Sequence, residues 1–260
     1  RYNAFHKGVD PAFFGNGLFT EDFNLNQVEV DYQDYTNQFY LETLFRQVFS
    51  FGLGVEHKHL KITSETFTNV TGRNLGPATF ENSNLYSAFG YLRFDSLDDK
   101  FFPSRGWYFN GDFHLYLFSD RTEDFSQFSI SKGNLGYVFT PFKNLTTRIS
   151  SEAGFRIGPI GRNSLDFFLG GYGNNPINNI VPFYGYDFLS ITADSYIRGL
   201  IELDYEIFRK NHLIGSANFA NVENDLFSSG NWLNLPAYSG YALGYGLETF
   251  LGPVEVKYSY

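Results

Sequence analysis

Cysteine and methionine are both absent from the 260 residues, so the chain can form no disulfide and hold no thiolate-bound metal. Neither absence fixes a compartment. No run of about 18 apolar residues occurs, which excludes a membrane-crossing helix. Basic residues are outnumbered, 19 Lys and Arg against 28 Asp and Glu, and a net charge of −9 leaves no basic surface for a nucleic acid. What is abundant is aromatic: 31 Phe and 19 Tyr, beside 26 Gly. An ordinary core rests on Leu, Ile, Val and Ala. Rings in these numbers favour strands over helices.

Apolar and polar positions alternate through most of the chain. Trp107, Phe109, Gly111, Phe113, Leu115 and Leu117 interleave with Tyr108, Asn110, Asp112, His114, Tyr116 and Phe118. In Tyr196–Phe208 the residues Ile197, Gly199, Ile201, Leu203, Tyr205 and Ile207 oppose Arg198, Glu202, Asp204 and Glu206. Such alternation marks strands with one apolar face. It predicts about ten strands, at 27–45, 47–62, 84–96, 106–118, 126–140, 144–157, 194–208, 212–222, 238–251 and 253–260. The phase slips near Tyr35, which would split the first strand in two. It slips again at Lys132–Asn134, which predicts a bulge or a strand end.

Strand length and loop length point to the solvent. Strands of soluble proteins average ~5–6 residues, whereas a tilted membrane strand needs ~9–11, and several here reach the longer class. Connections at Leu97–Arg105, Pro141–Asn144, Arg209–Asn211 and Gly252–Pro253 are compact. Those at Thr63–Ser83, Gly158–Asp194 and Glu223–Ala237 are long. Short turns on one rim and long loops on the other predict an all-β, antiparallel transmembrane barrel with an apolar outer face and a wet lumen. A mildly polar average composition is compatible with this, because the average hides the apolar half. A soluble sandwich or lipocalin-like barrel would need its core built from the odd-numbered aromatic faces, and the long strands count against it. Trp107 and the many Tyr residues suit interfacial girdles, and Trp232 falls in a long loop.

Three stretches carry a family resemblance. "FDSLDDKFFPSRGWYFNGDF", Phe94–Phe113, with Phe102, Pro103 and Gly106 in its turn, resembles the turn between two mid-barrel strands of the BamA/TamA outer-membrane superfamily. "NNIVPFYGYDF", Asn178–Phe188, falls where that superfamily keeps a (V/I)RG(F/Y) motif on a loop folded into the lumen. Phe183, Tyr184, Gly185 and Tyr186 occupy the motif, with Tyr184 in place of its Arg. "GSANFANV", Gly215–Val222, falls where the superfamily has F-x-D-x-G, with Ser216, Asn218 and Ala220 at the three motif positions. The resemblance implies that the loop meets the wall here through a neutral pair, for example the Tyr184 hydroxyl on Asn218. Losing only one charge of such a pair would strand the other at a cost of ~3–5 kcal/mol.

Together with "PFYGYDFLSI" and "GYGLETFLGPVEVKYSY", the pattern is similar to the C-terminal barrel of Bacteroidetes-type patatin-like phospholipases. That implies one barrel domain over 1–260, about ten strands of a sixteen-stranded barrel, incomplete at both ends. A complete smaller barrel is the alternative. The resemblance also implies a place in the outer membrane of a Gram-negative bacterium among its lipids, and a fused hydrolase domain upstream. A start at Arg1, inside an aromatic stretch, fits a segment of something longer. The alternatives in function are an assembly or translocation factor and a passive channel.

Chemistry within these residues is expected to be sparse. The G-x-S-x-G elbow and D-G-(G/A) motif of patatins do not occur, so no catalytic residue is assigned. No cofactor is implied. His57 and His59 share one strand face but lack a cluster of further ligands, and no metal is assigned. "GGYGNN", Gly170–Asn175, opens no helix and reads as a loop rather than a phosphate cradle. Arg148, Glu152, Arg156, Arg198, Glu202, Asp204, Glu206 and Glu248 are expected to face the lumen and to pair across neighbouring strands.

Overall fold

A computed structural model of the chain describes residues 2–6, 27–67, 75–121, 125–159, 165–172 and 179–260. The first seven strands are β1 Tyr2–His6, β2 Gln27–Phe45, β3 Phe49–Phe67, β4 Leu75–Asp95, β5 Gly106–Ser119, β6 Phe128–Phe142 and β7 Leu145–Ile157. The long connection that follows contains β8 Phe167–Leu169, β9 Ile180–Val181 and β10 Ile191–Ala193, which form a small sheet of their own. Then come β11 Ser195–Phe208, β12 Asn211–Glu223, β13 Tyr238–Thr249 and β14 Gly252–Ser259. Eleven strands make one antiparallel sheet, each hydrogen-bonded to the next, with β7 pairing directly with β11. Among the described residues β14 and β1 do not pair, so the sheet is an open arc.

The arc is turned inside out relative to a water-soluble protein. On β11, Leu203 is 48% exposed while its neighbour Glu202 is 8% exposed. The same inversion holds on β3, where Phe51, Leu53 and Val55 are exposed and Glu56 is buried, and on β13, where Tyr241, Leu243 and Tyr245 are exposed and Ala242 is buried. An apolar face running over so many strands far exceeds the patch of roughly 300–600 Å² that a soluble monomer tolerates. It fits hydrocarbon, where each backbone N–H and C=O must be satisfied within the sheet. Phe45, Phe142, Phe208 and Phe250 flank the short turns and stay exposed, as does Trp107, stacked on Phe94 with ring centroids 4.0 Å apart. This is an aromatic rim at the level of an interface.

Inside the arc, rings and glycines interlock. Tyr91 lies opposite Gly52 in register, Phe89 opposite Gly54, Tyr108 opposite Gly136 and Tyr196 opposite Gly154. In each case the ring occupies the space that a Cβ on the glycine would need. The concave side of a curled sheet is crowded, and a glycine lets the ring lie flat across the neighbouring strand.

Several expectations change. Residues 27–45 form one strand in unbroken register with β3, so the slip near Tyr35 is no strand boundary. Over its last part β2 has no partner on its far side among the described residues, and both of its faces are exposed. The connection read at Thr63–Ser83 shrinks, because β3 runs to Phe67 and β4 begins at Leu75. The register is regular through Lys132–Asn134, and the slip there reflects small outward residues, Ser131 and Gly133, rather than a bulge. Register shifts fall instead at Ile62/Thr63, Ser64/Thr66, Tyr86/Ser87, Phe139/Phe142 and Glu206/Phe208.

Placing a cation on the outer face tests the inversion. Leu203→Arg should destabilise the folded protein in lipid vesicles by about 2–4 kcal/mol in denaturant titration. Leu233→Arg, at an exposed site in the β12–β13 connection, should cost a small fraction of that.

Candidate functional site

The lumen is built in three levels, and the sequence-singled residues distribute among them. The first is a dry cluster at the long-loop end. Phe167, Leu169, Val181, Phe183 and Ile191 from the β7–β11 connection pack on Tyr196 of β11 and Ala220 of β12. Leu165 of the same connection packs with Leu60, Leu85, Tyr116 and Phe128 of the wall. The lumen was expected to be wet and to receive a folded-in loop; at this end it is apolar core, because the connection folds inward and buries its own rings.

Phe183, Tyr184, Gly185 and Tyr186 form the point of attachment. Phe183 is fully buried. Its N–H donates to the Gly171 carbonyl at 3.1 Å, and the Gly171 N–H donates to Tyr186 at 2.9 Å. Asn218 of β12 grips the backbone of Tyr184 twice: its Oδ1 accepts from the Tyr184 N–H at 2.7 Å and its Nδ2 donates to the Tyr184 carbonyl at 3.4 Å. The structure therefore joins Tyr184 and Asn218 through the backbone rather than through the tyrosine hydroxyl. That hydroxyl accepts instead from Lys257 Nζ of β14 at 3.4 Å. Gly240 of β13 makes the approach possible, since a Cβ there would collide with the Tyr184 carbonyl. Gly185 adopts φ 84°, a left-handed conformation that disfavours a side chain. Residues 173–178, with the second half of the "GGYGNN" stretch, lie outside the described residues.

The second level is ionic. Glu152 of β7 lies opposite Arg198 of β11 in register, and Glu202 lies opposite Arg148. The Glu152 carboxylate meets Arg198 at 2.8 Å and Lys132 at 3.3 Å, and accepts the Tyr196 hydroxyl at 2.7 Å. Glu202 meets Arg148 at 3.3 Å and Lys257 at 3.2 Å, and accepts the Ser216 hydroxyl at 3.0 Å. Arg198 also donates to the Pro182 carbonyl, tying the inward loop to this level. Arg156 pairs with Asp166 of the connection at 3.4 Å. Cross-strand placement on one face, with added hydrogen bonds, offsets the desolvation of these charges. A cavity of about 450 Å³ opens beside this level, lined by Glu56, Lys58, Asp112, His114, Lys132, Phe89 and Tyr91 among others.

The third level is at the short-turn rim. His212 Nδ1 lies 2.8 Å from Asp204 and its Nε2 lies 3.3 Å from Glu248. Among the described residues Glu206 stands apart from the pairs, and it accepts the Lys210 N–H at 3.0 Å, capping the β11–β12 turn. The β4–β5 turn explains its own aspartates. Asp99 Oδ1 accepts the N–H of Phe101 and Phe102, and Asp98 accepts the N–H of Ser104 and Arg105 and the Ser104 hydroxyl. Desolvation pushes the Asp98 carboxyl up, but these donors outweigh it and hold it below the usual range. Gly106 takes φ 120° against the Ser96 carbonyl, and Pro103 is buried.

The sequence did not reveal Lys132, Lys257, Tyr196, Asp166 or His212 as partners. Lys257 alternates with apolar neighbours on β14, which was a usable signal; the others depend on tertiary placement. His57 and His59 both turn to the Asn84 side-chain oxygen, at 3.0 and 3.1 Å.

A sequence profile of the OMP85 superfamily matches residues 1–260. The chain belongs to the OMP85 superfamily. No curated protein matches it by sequence. Among solved structures, this OMP85 chain is similar to the crystal structure of BamA from Haemophilus ducreyi lacking POTRA domains 1–3, with TM-score 0.61 and 12% identity over 90% of this chain. At that identity the likeness carries the fold alone. The chain spans about half of that protein's length, 51%.

The Asn218 clamp has a direct test. Asn218→Leu leaves the Tyr184 N–H and carbonyl without partners, a cost of ~1–3 kcal/mol for each buried group. Limited proteolysis of the folded protein should then cut within residues 165–194 faster than in the wild type, while cleavage at the β12–β13 connection stays unchanged.

Proposed function

We propose that this chain is the outer-membrane barrel portion of a larger protein of a Gram-negative bacterium. It anchors and presents a domain that lies outside these residues, and that domain is a patatin-like lipid acyl hydrolase. The observation that supports a scaffold is the lumen itself. Its central carboxylates pair with cations across neighbouring strands, and the β7–β11 connection packs into it as apolar core. Membrane lipids are the partner of the outer face, and chemistry belongs to the fused domain. The identity of that domain rests on the sequence likeness of "PFYGYDFLSI" and "GYGLETFLGPVEVKYSY" to patatin-associated barrels.

A second reading is an assembly or translocation factor, supported by membership of the OMP85 superfamily and by the likeness to BamA in fold. The two separate in one pair of measurements on the full-length protein. An anchored hydrolase releases fatty acid from phospholipid vesicles, loses that activity when its upstream serine is replaced, and can be depleted without loss of other barrel proteins. If the upstream region carries no G-x-S-x-G and depletion empties the outer membrane of barrel proteins, the assembly reading replaces it. A steady, cation-selective conductance in planar bilayers would instead favour the channel.

A further inference from the structure

We propose that the turn between β4 and β5 is a built-in plug that shuts the short-turn rim of the lumen, with Phe102 as the stopper and His212 as its seat. The Phe102 ring lies nearly parallel to the His212 imidazole, with centroids 4.1 Å apart and 15° between planes. Phe102 leaves from the β4–β5 hairpin, whereas His212 is on β12, and β6, β7 and β11 stand between β5 and β12 in the sheet. Four steps of ~4.8 Å make roughly 19 Å along the wall. Ring contact over that separation requires the turn to cross the mouth of the curled sheet instead of resting on its own strands.

The seat is shaped for a ring. Asp204 and Glu248 hold the two nitrogens of His212 from its edges, which leaves the imidazole face free to take an aromatic partner. Beside it, Gly246 of β13 offers no side chain, and a Cβ there would come within 3.2 Å of the Phe102 ring. The stopper is held stiffly. Asp98 and Asp99 fix the turn backbone from within, and the Ser104 carbonyl accepts the hydroxyl of Thr140 on β6 at 2.8 Å. The turn thus touches β6, β12 and β13 at one level of the barrel. With the β7–β11 connection packed at the other end, the ionic level lies between two closures. The turn, which engages the far wall through one ring, is the one that can release without unfolding the core.

The test uses the full-length protein in lipid nanodiscs, freed of any other cysteine and carrying Ser150→Cys. Ser150 is a buried β7 position at the ionic level, beyond the plug. A charged, impermeant maleimide should label it slowly. Phe102→Ala should raise the labelling rate by about tenfold or more, as expected when a local closure is lost, and Phe102→Tyr should keep it slow. Gly246→Val, which crowds the ring from the opposite wall, should reproduce the Phe102→Ala result without touching the turn. Folding of each variant is checked by its mobility on an unheated gel. Labelling that is equally fast with and without Phe102, or unchanged in both the Phe102→Ala and Gly246→Val proteins, overturns the plug.

Discussion

A strand in hydrocarbon must find a partner for every backbone N–H and C=O within its own sheet, because lipid supplies none. The rest of this molecule follows from that obligation. Pairing fixes the alternation of side chains, and lipid then selects apolar groups for one face. All the polarity that the chain carries is forced to the other. That inner face is no longer bathed freely, so its charges must satisfy each other. Glu152 and Glu202 each collect two cations and a hydroxyl. Either carboxylate left alone in so buried a place would cost several kcal/mol.

The same obligation explains the unusual pairing of composition, rich at once in rings and glycines. Curling the sheet narrows its concave side, and large side chains there need somewhere to lie. Four rings solve this by resting on the glycine directly opposite in register. The inward loop exploits the same device at Gly240, where the missing side chain admits the Tyr184 backbone to the wall and into the grip of Asn218. Glycine on the inner face therefore acts as a receptor for packing rather than as a source of flexibility.

How much of this was legible in the sequence depended on whether the cause was local. Alternation is local, and it located the ten strands from Gln27 onward to within a few residues, apart from the outer ends of β3 and β4. There the chain turns polar, as at Thr63, Ser64 and Glu65 of β3, so the apolar signal ended before the strand did. β1 was missed, since only five residues of it pair. Resemblance drew attention to Tyr184 and Asn218, which the structure places in contact, although the bonds run through the tyrosine backbone. What no local pattern could show was reach. Phe102 meeting His212 and Lys257 meeting Tyr184 join residues far apart in the chain, brought together only by the curl of the sheet.

The central claim is that one sheet separates two solvents. Nitroxide labels placed one at a time on cysteines at positions 201–207 of β11, in lipid bilayers, test it most directly. The account predicts a period of two: oxygen, concentrated in lipid, reaches positions 201, 203, 205 and 207, and is excluded from 202, 204 and 206. Collisions with a water-soluble nickel chelate at the odd positions, or accessibility without alternation, would contradict it.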